Sequence, residues 1–259
     1  IYAMAAAENA DKLPLLEADY ARNPPMPDDA RAALLFSIGG LRLVQRGVDP
    51  ADAVPPLTEA ADLYRRLGHR LYEADTETFL GIATAPDRTH LERALTLYRE
   101  VEDAWGNAYV HYLLGDSMWI GGDPAGARAM FREAIRLAQA IESDYVIGLA
   151  LCGTGYVALT QSDHDGARVT FTEAAKLLLD VYAREELAKC LYGFAALSLR
   201  AGDAEEAAVL VGAADATIER TGYFSSVERD PTFHTIASGA CTALGDLSLI
   251  HISEPTRPY

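Results

Sequence analysis

One frame returns every 40 residues. Gly-Asp-Pro-Ala-Gly-Ala-Arg begins at Gly122, Ser-Asp-His-Asp-Gly-Ala-Arg at Ser162, and Gly-Asp-Ala-Glu-Glu-Ala-Ala at Gly202. On the same step lie Asp123, Asp163 and Asp203, then Ala127, Ala167 and Ala207, then Phe131, Phe171 and Val211, then Ala134, Ala174 and Ala214. Self-similarity at this period marks a repeat architecture. One such unit cannot bury its own apolar face, so it buries that face against its neighbours. The frame therefore predicts an all-α chain, a right-handed α-solenoid of about five helix pairs. A stack of this kind presents an extended surface rather than one deep cleft, which points to binding rather than catalysis.

Each unit reads as two helices. In the third copy they are predicted over 108–120 and 125–141, joined by Gly121-Gly122-Asp123-Pro124. Pro124 suits a helix start, where its missing N–H has no partner to lose. The fourth copy reads as 145–161 and 166–180, with Ala167, Phe171, Ala174 and Leu178 on one face at i, i+4, i+7 and i+11. Its turn, Ser162-Asp163-His164-Asp165, carries side-chain oxygens that can accept from the orphan N–H groups of the second helix. The fifth copy reads as 184–200 and 204–220, with Gly222 as a C-terminal cap. Two degenerate copies come first, near 29–68 and 69–102. The second-helix alanine falls at Ala60, Ala94, Ala134, Ala174 and Ala214, so the first step is 34 and the others 40. Pro86 is expected to end the first helix of the short copy. Residues 1–27 read as the remnant of an upstream repeat, residues 28–246 as the array, and the stretch near 232–244 as a last helix.

The final 13 residues, 247–259, are set aside. The codons for Leu247-Ser-Leu-Ile-His-Ile-Ser-Glu-Pro-Thr-Arg257 can spell a transposon-end sequencing adapter read through in frame. With Ile1 at the other end, the sequence is expected to be an internal fragment of a longer protein.

Composition closes off several classes. Hydrophobic residues form 50% of the chain and charged residues 23%, the balance of a soluble globular protein. The formal net charge of -16 opposes a nucleic-acid footprint or an anionic membrane surface. No apolar run approaches the ~20 residues that span a bilayer. Three scattered cysteines, Cys152, Cys190 and Cys241, suit a reducing cytoplasm and form no metal or disulfide pattern.

Within the unit, the offsets resemble the tetratricopeptide pattern: a small residue, Ala twelve on, an aromatic four later, and Ala three later. Gly115, Ala127, Phe131 and Ala134 match it, as do Gly155, Ala167, Phe171 and Ala174; in Ala195, Ala207, Val211 and Ala214 a valine replaces the aromatic. HEAT or armadillo arrays share the period, but these offsets favour the tetratricopeptide type. The array is further similar to the long-repeat region of large bacterial ATP-binding transcriptional regulators of the LuxR/AfsR type. The residues that carry this are Leu63-Tyr64-Arg65-Arg66-Leu67-Gly68, Leu97-Tyr98-Arg99-Glu100-Val101-Glu102-Asp103-Ala104-Trp105-Gly106, and Ala207-Ala208-Val209-Leu210-Val211-Gly212-Ala213-Ala214-Asp215. The resemblance implies a sensor or interaction arm, with ATPase and DNA-binding domains elsewhere in the full-length chain. A free-standing scaffold of the same fold is the alternative.

Catalytic groupings are weak. Gly153-Thr154-Gly155 mimics a dinucleotide fingerprint, but the frame puts it inside a first helix, where that motif needs a strand before it. No two of the six histidines have metal-ligand spacing. His164 reads as a solvated turn residue and His111 as a satisfied core imidazole. The pairs Glu185-Glu186 and Glu205-Glu206 lie near helix starts, where they complement the helix dipole. No metal, cofactor or enzymatic activity is expected. The candidate binding face is Tyr109, Tyr112, Asp116 and Trp119, at i, i+3, i+7 and i+10 of one first helix. Its equivalents in the following copies are Cys152, Tyr156 and Leu159, then Lys189, Tyr192 and Arg200. In tetratricopeptide arrays this face lines the concave groove. The resemblance thus implies recognition of a protein, a peptide or a small polar ligand there, with no nucleic-acid or membrane contact from this segment.

Overall fold

The computed structural model describes residues 12–22, 25–45, 48–221 and 231–244. Among them are twelve α-helices and no strand. The expected tail at 247–259, the cap at Gly222 and the start of the upstream remnant lie outside the described residues. The chain divides into two compact units, Ile1–Glu142 and Ser143–Tyr259.

The first unit holds α1 (Leu13–Ala21), α2 (Asp28–Val44), a 3₁₀ turn (Pro50–Ala53), α3 (Val54–Leu67), α4 (Arg70–Ala83), α5 (Thr89–Glu100), α6 (Ala104–Ile120) and α7 (Pro124–Ala140). The second holds α8 (Asp144–Thr160), α9 (His164–Asp180), α10 (Arg184–Ala201), α11 (Ala204–Thr221) and α12 (Pro231–Leu244). Neighbouring helices pack as α2/α3, α4/α5, α6/α7, α8/α9 and α10/α11, and α12 lies on α10 and α11. The stretch 145–151, where a dinucleotide site would need a strand, is the first part of α8.

The frame is the core. Ala60, Ala94, Ala134, Ala174 and Ala214 are all fully buried, as are Leu57, Phe131 and Phe171; Leu91 and Val211, at the matching positions, are 2% exposed. Small residues in the first helices make room for these larger ones. A Cβ on Gly155 of α8 would sit 2.5 Å from the Phe171 ring, and one on Gly193 of α10 would meet the same ring at 2.5 Å. Phe171 of α9 thus fills a slot that two glycines on two other helices leave open. Phe131 fills the equivalent notch at Gly115, where a Cβ would approach to 2.6 Å. Close helix approach and full packing density follow from the same substitution pattern.

The turns repeat as strictly as the core. The side chains of Asp123 and Asp163 accept from the backbone N–H of Gly126 and Gly166, and Asp203 accepts from that of Glu206, each at 2.9 Å. The residue before each aspartate has positive φ: 80° at Gly122, 62° at Ser162 and 81° at Gly202. A second left-handed position ends the second helices, at Glu102, Glu142 and Tyr182 with φ of 55°, 53° and 58°. A left-handed residue after the last helical turn lets following N–H groups satisfy the orphan carbonyls. Asp163→Ala should lower stability by about 1 kcal/mol in urea unfolding, the usual size of a lost N-cap. An unchanged midpoint would show that the cap carries no weight.

Two helix starts differ from expectation by two residues or more. Helix α6 begins at Ala104, not at 108, because Asp103 caps it by accepting from Gly106 N–H at 2.8 Å. Gly106 and Asn107 are weak helix formers, but Gly106 is held in α6, where the Tyr98 ring packs against its Cα. Helix α9 begins at His164 rather than 166, for the same reason: its cap is Asp163. Helix α4 ends at Ala83 ahead of Pro86, as expected, and the Pro86 carbonyl accepts from the Ser117 hydroxyl at 3.0 Å.

Candidate functional site

The expected binding residues fall in both units: Tyr109, Tyr112, Asp116 and Trp119 on α6 in the first, Tyr156, Lys189, Tyr192 and Arg200 on α8 and α10 in the second. On α6 the rings form a ladder. Trp105 stacks on Tyr109 with centroids 5.0 Å apart and planes 21° apart. Tyr109 leans on Tyr112 at 5.9 Å, and Tyr112 on Phe131 of α7 at 6.1 Å. The ladder runs from surface to core. Trp105 is 40% exposed, Tyr109 is half-buried, and Tyr112 is 4% exposed. Tyr112 is therefore a core residue that anchors the ladder and does not line an open groove. Asp116 and Trp119 continue the same face and are half-buried. Trp105 is the site residue that sequence reasoning missed, although it stands four residues before Tyr109.

In the second unit the expected open face is closed. Tyr156 and Tyr192 are each 4% exposed, and Phe233 of α12 is packed between them. Their ring centroids lie 5.4 Å and 5.2 Å from that of Phe233, both edge-on. Tyr156 also meets Phe171 edge-on at 5.1 Å. Edge-to-face rings are a favourable arrangement for aromatic cores. Both hydroxyls find acceptors: Tyr156 donates to the Lys189 carbonyl at 2.6 Å, and Tyr192 donates to the Asp215 carboxylate. Burial then carries no unsatisfied polar atom, which is why these tyrosines can be core. Cys152 and Leu159 are buried as well, Lys189 is half-buried and Arg200 is exposed. The expectation that Tyr156 and Tyr192 line a channel is thereby corrected.

A charged cluster that the frame does not mark lies within the first unit. Glu73 and Glu77, on one face of α4, are 0% and 2% exposed. Glu73 accepts from Arg65 at 2.9 Å, Arg70 at 2.9 Å and Arg93 at 2.8 Å. Glu77 pairs with Arg65 at 3.2 Å, Arg93 at 3.0 Å and His90 Nδ1 at 2.7 Å. Burial opposes ionisation of Glu73, but the hydrogen bonds from Arg65, Arg70 and Arg93 outweigh it and hold the carboxyl below the usual glutamate range. The Glu73 carboxylate is saturated by guanidinium donors, so it is not poised as a general base. The cluster ties α3, α4 and α5 together. An i, i+4 glutamate pair among Ala74, Thr78 and Gly81 is the sequence signal for it. His111 is 5% exposed and its Nδ1–H donates to the Asn107 carbonyl at 2.7 Å, the satisfied core imidazole expected; His164 is exposed at the start of α9.

No helix among the described residues is long and apolar enough to cross a membrane. No protein-family model matches the chain, and no curated protein matches it. Among solved structures, the crystal structure of BtubC (BKLC) from P. vanneervenii is similar, with a TM-score of 0.52 and 16% identity over 83% of this chain and 89% of that one. At that identity the likeness is one of fold alone.

Proposed function

We propose that this chain is a non-enzymatic helical-repeat module that binds a protein or peptide segment, with the Trp105–Tyr109 face of α6 as its docking surface. The single observation that carries the reading is the stacked ladder. Its outer ring is 40% exposed while its inner end is locked against Phe131. Exposed aromatic rings held rigid from below give contact area without the cost of ordering them on binding. Trp and Tyr are also the residues that most often dominate binding energy at interfaces. The tetratricopeptide-like offsets and the resemblance to regulator arrays support a sensor or interaction arm of a bacterial ATP-binding transcriptional regulator. Such an arm would work in the cytoplasm, its ATPase and DNA-binding domains lying elsewhere in the full-length chain.

The test is to pan a displayed random peptide library on the chain, then measure recovered peptides by calorimetry. Trp105→Ala should weaken binding by roughly 2 kcal/mol or more, as a lost aromatic anchor does, with native circular dichroism. Recovery of no peptide, or of peptides indifferent to Trp105→Ala, would contradict the proposal.

A further inference from the structure

We infer that the segment seated on α6 is cationic, a peptide bearing arginine or lysine. This rests on the reading of the α6 face as a docking surface and adds the chemistry of its occupant. Formal charge is segregated between the helices of the α6/α7 pair. Over its 17 residues α6 carries no Lys or Arg, and its one acidic residue, Asp116, stands on the ladder face. Its partner α7 carries Arg128, Arg132 and Arg136 against one acidic residue, Glu133, which is paired with Arg136 at 2.6 Å. The turn that leads into α6 adds Glu100 and Glu102, both exposed, and Asp103, half-buried. Trp105 follows within five residues of these three acidic positions, and no Lys or Arg occurs between Glu100 and Ile120, Arg99 standing just before that stretch.

Both features favour a cation. A guanidinium or ammonium is drawn to the face of a tryptophan or tyrosine ring, within ≈ 6 Å of its centroid. Carboxylates around the ring raise the local concentration of positive ligands and repel negative ones. An acidic partner would meet like charge at every one of these positions. A neutral apolar partner would use the rings but make no use of the exposed Glu100 and Glu102. Arginine fits best, since its planar guanidinium stacks on an aromatic ring while its N–H donors reach a carboxylate.

The experiment uses the intact chain and three fluorescein-labelled peptides on one Gly/Ser/Leu scaffold, with Arg, Gln or Glu at the same spaced positions. Fluorescence anisotropy should show the Arg peptide binding at least tenfold more tightly than the Gln peptide, and the Glu peptide not at all. Trp105→Ala should weaken the Arg peptide at least tenfold, whereas Trp105→Tyr, which keeps a ring face, should retain most of the affinity. Removing two exposed carboxylates of the second unit, by Asp165→Asn with Glu173→Gln, should leave it unchanged. Equal Trp105-dependent binding of the Arg and Gln peptides would overturn the cationic occupant while leaving the docking face standing. Equal loss from the second-unit variant and from Trp105→Ala would reveal attraction to net charge alone and overturn the inference. Failure of all three peptides would also overturn it, and only failure of the random library as well would remove the docking face.

Discussion

Phe171→Ala is expected to cost about 3–5 kcal/mol in the unfolding of the second unit, the range for deleting a fully buried phenylalanine. The ring is fully buried and contacts Tyr156 and Phe194 edge-on, at 5.1 Å and 5.9 Å. It also fills the slot between Gly155 and Gly193, so its loss opens a cavity that three helices would have to shift together to close. The reverse fault should appear at the glycine. Gly155→Ala places a Cβ against the ring and should cost about 1–3 kcal/mol through overpacking. In the Phe171→Ala background that cost should vanish, because the space is then free. A double-mutant cycle by urea denaturation would measure this coupling. Additive losses would mean that the two residues do not meet and that the repeat register is wrong.

Glu73→Leu is expected to lower stability by about 3 kcal/mol, within the ~3–5 kcal/mol range for removing one partner of a buried ionic group, because the remaining arginines lose part of their compensation. Arg70 would lose its carboxylate, and Arg65 and Arg93 would be left to share Glu77 between α3, α4 and α5. The half-exposed arginines can turn toward water, which keeps the loss at the lower end of the range. The pH dependence gives an independent sign. The Glu73 carboxyl is depressed in the folded chain relative to its ordinary value of 4.5. The folded state then binds fewer protons than the unfolded state, and the stabilisation is fully present above that ordinary value. It fades as pH falls below 4.5 and is lost once pH passes through the lower folded value. The gap between parent and Glu73→Leu should therefore be wide at neutral pH and narrow in acid. A gap independent of pH would show that Glu73 acts through packing rather than charge.

What the sequence made legible is whatever repeats. The alanines from Ala60 to Ala214, the phenylalanines at 131 and 171 and the capping aspartates answer to local geometry that each unit reproduces, so a fixed step exposes them. The buried tyrosines were not legible in this way. Whether Tyr156 and Tyr192 stand open or closed depends on Phe233, which belongs to α12 and reaches them from outside the frame. The Glu73 and Glu77 cluster draws partners from three helices in the least regular copies, where no step relates them. Trp105 was lost for a simpler reason. A helix start set at 108, behind the weak helix formers Gly106 and Asn107, left it off the face, whereas the Asp103 cap carries the helix back to Ala104.

Both tryptophans of the chain, Trp105 and Trp119, lie on α6. Intrinsic tryptophan emission therefore reports on this one helix face and on nothing else. A peptide recovered from the library, bound to the unmodified chain at a saturation fixed by calorimetry, should shift that emission to the blue and protect it from acrylamide. Trp105→Tyr should remove most of the change while leaving the peptide bound. If the peptide saturates the chain and the emission and quenching stay as they were, the peptide sits elsewhere and α6 is not the docking face.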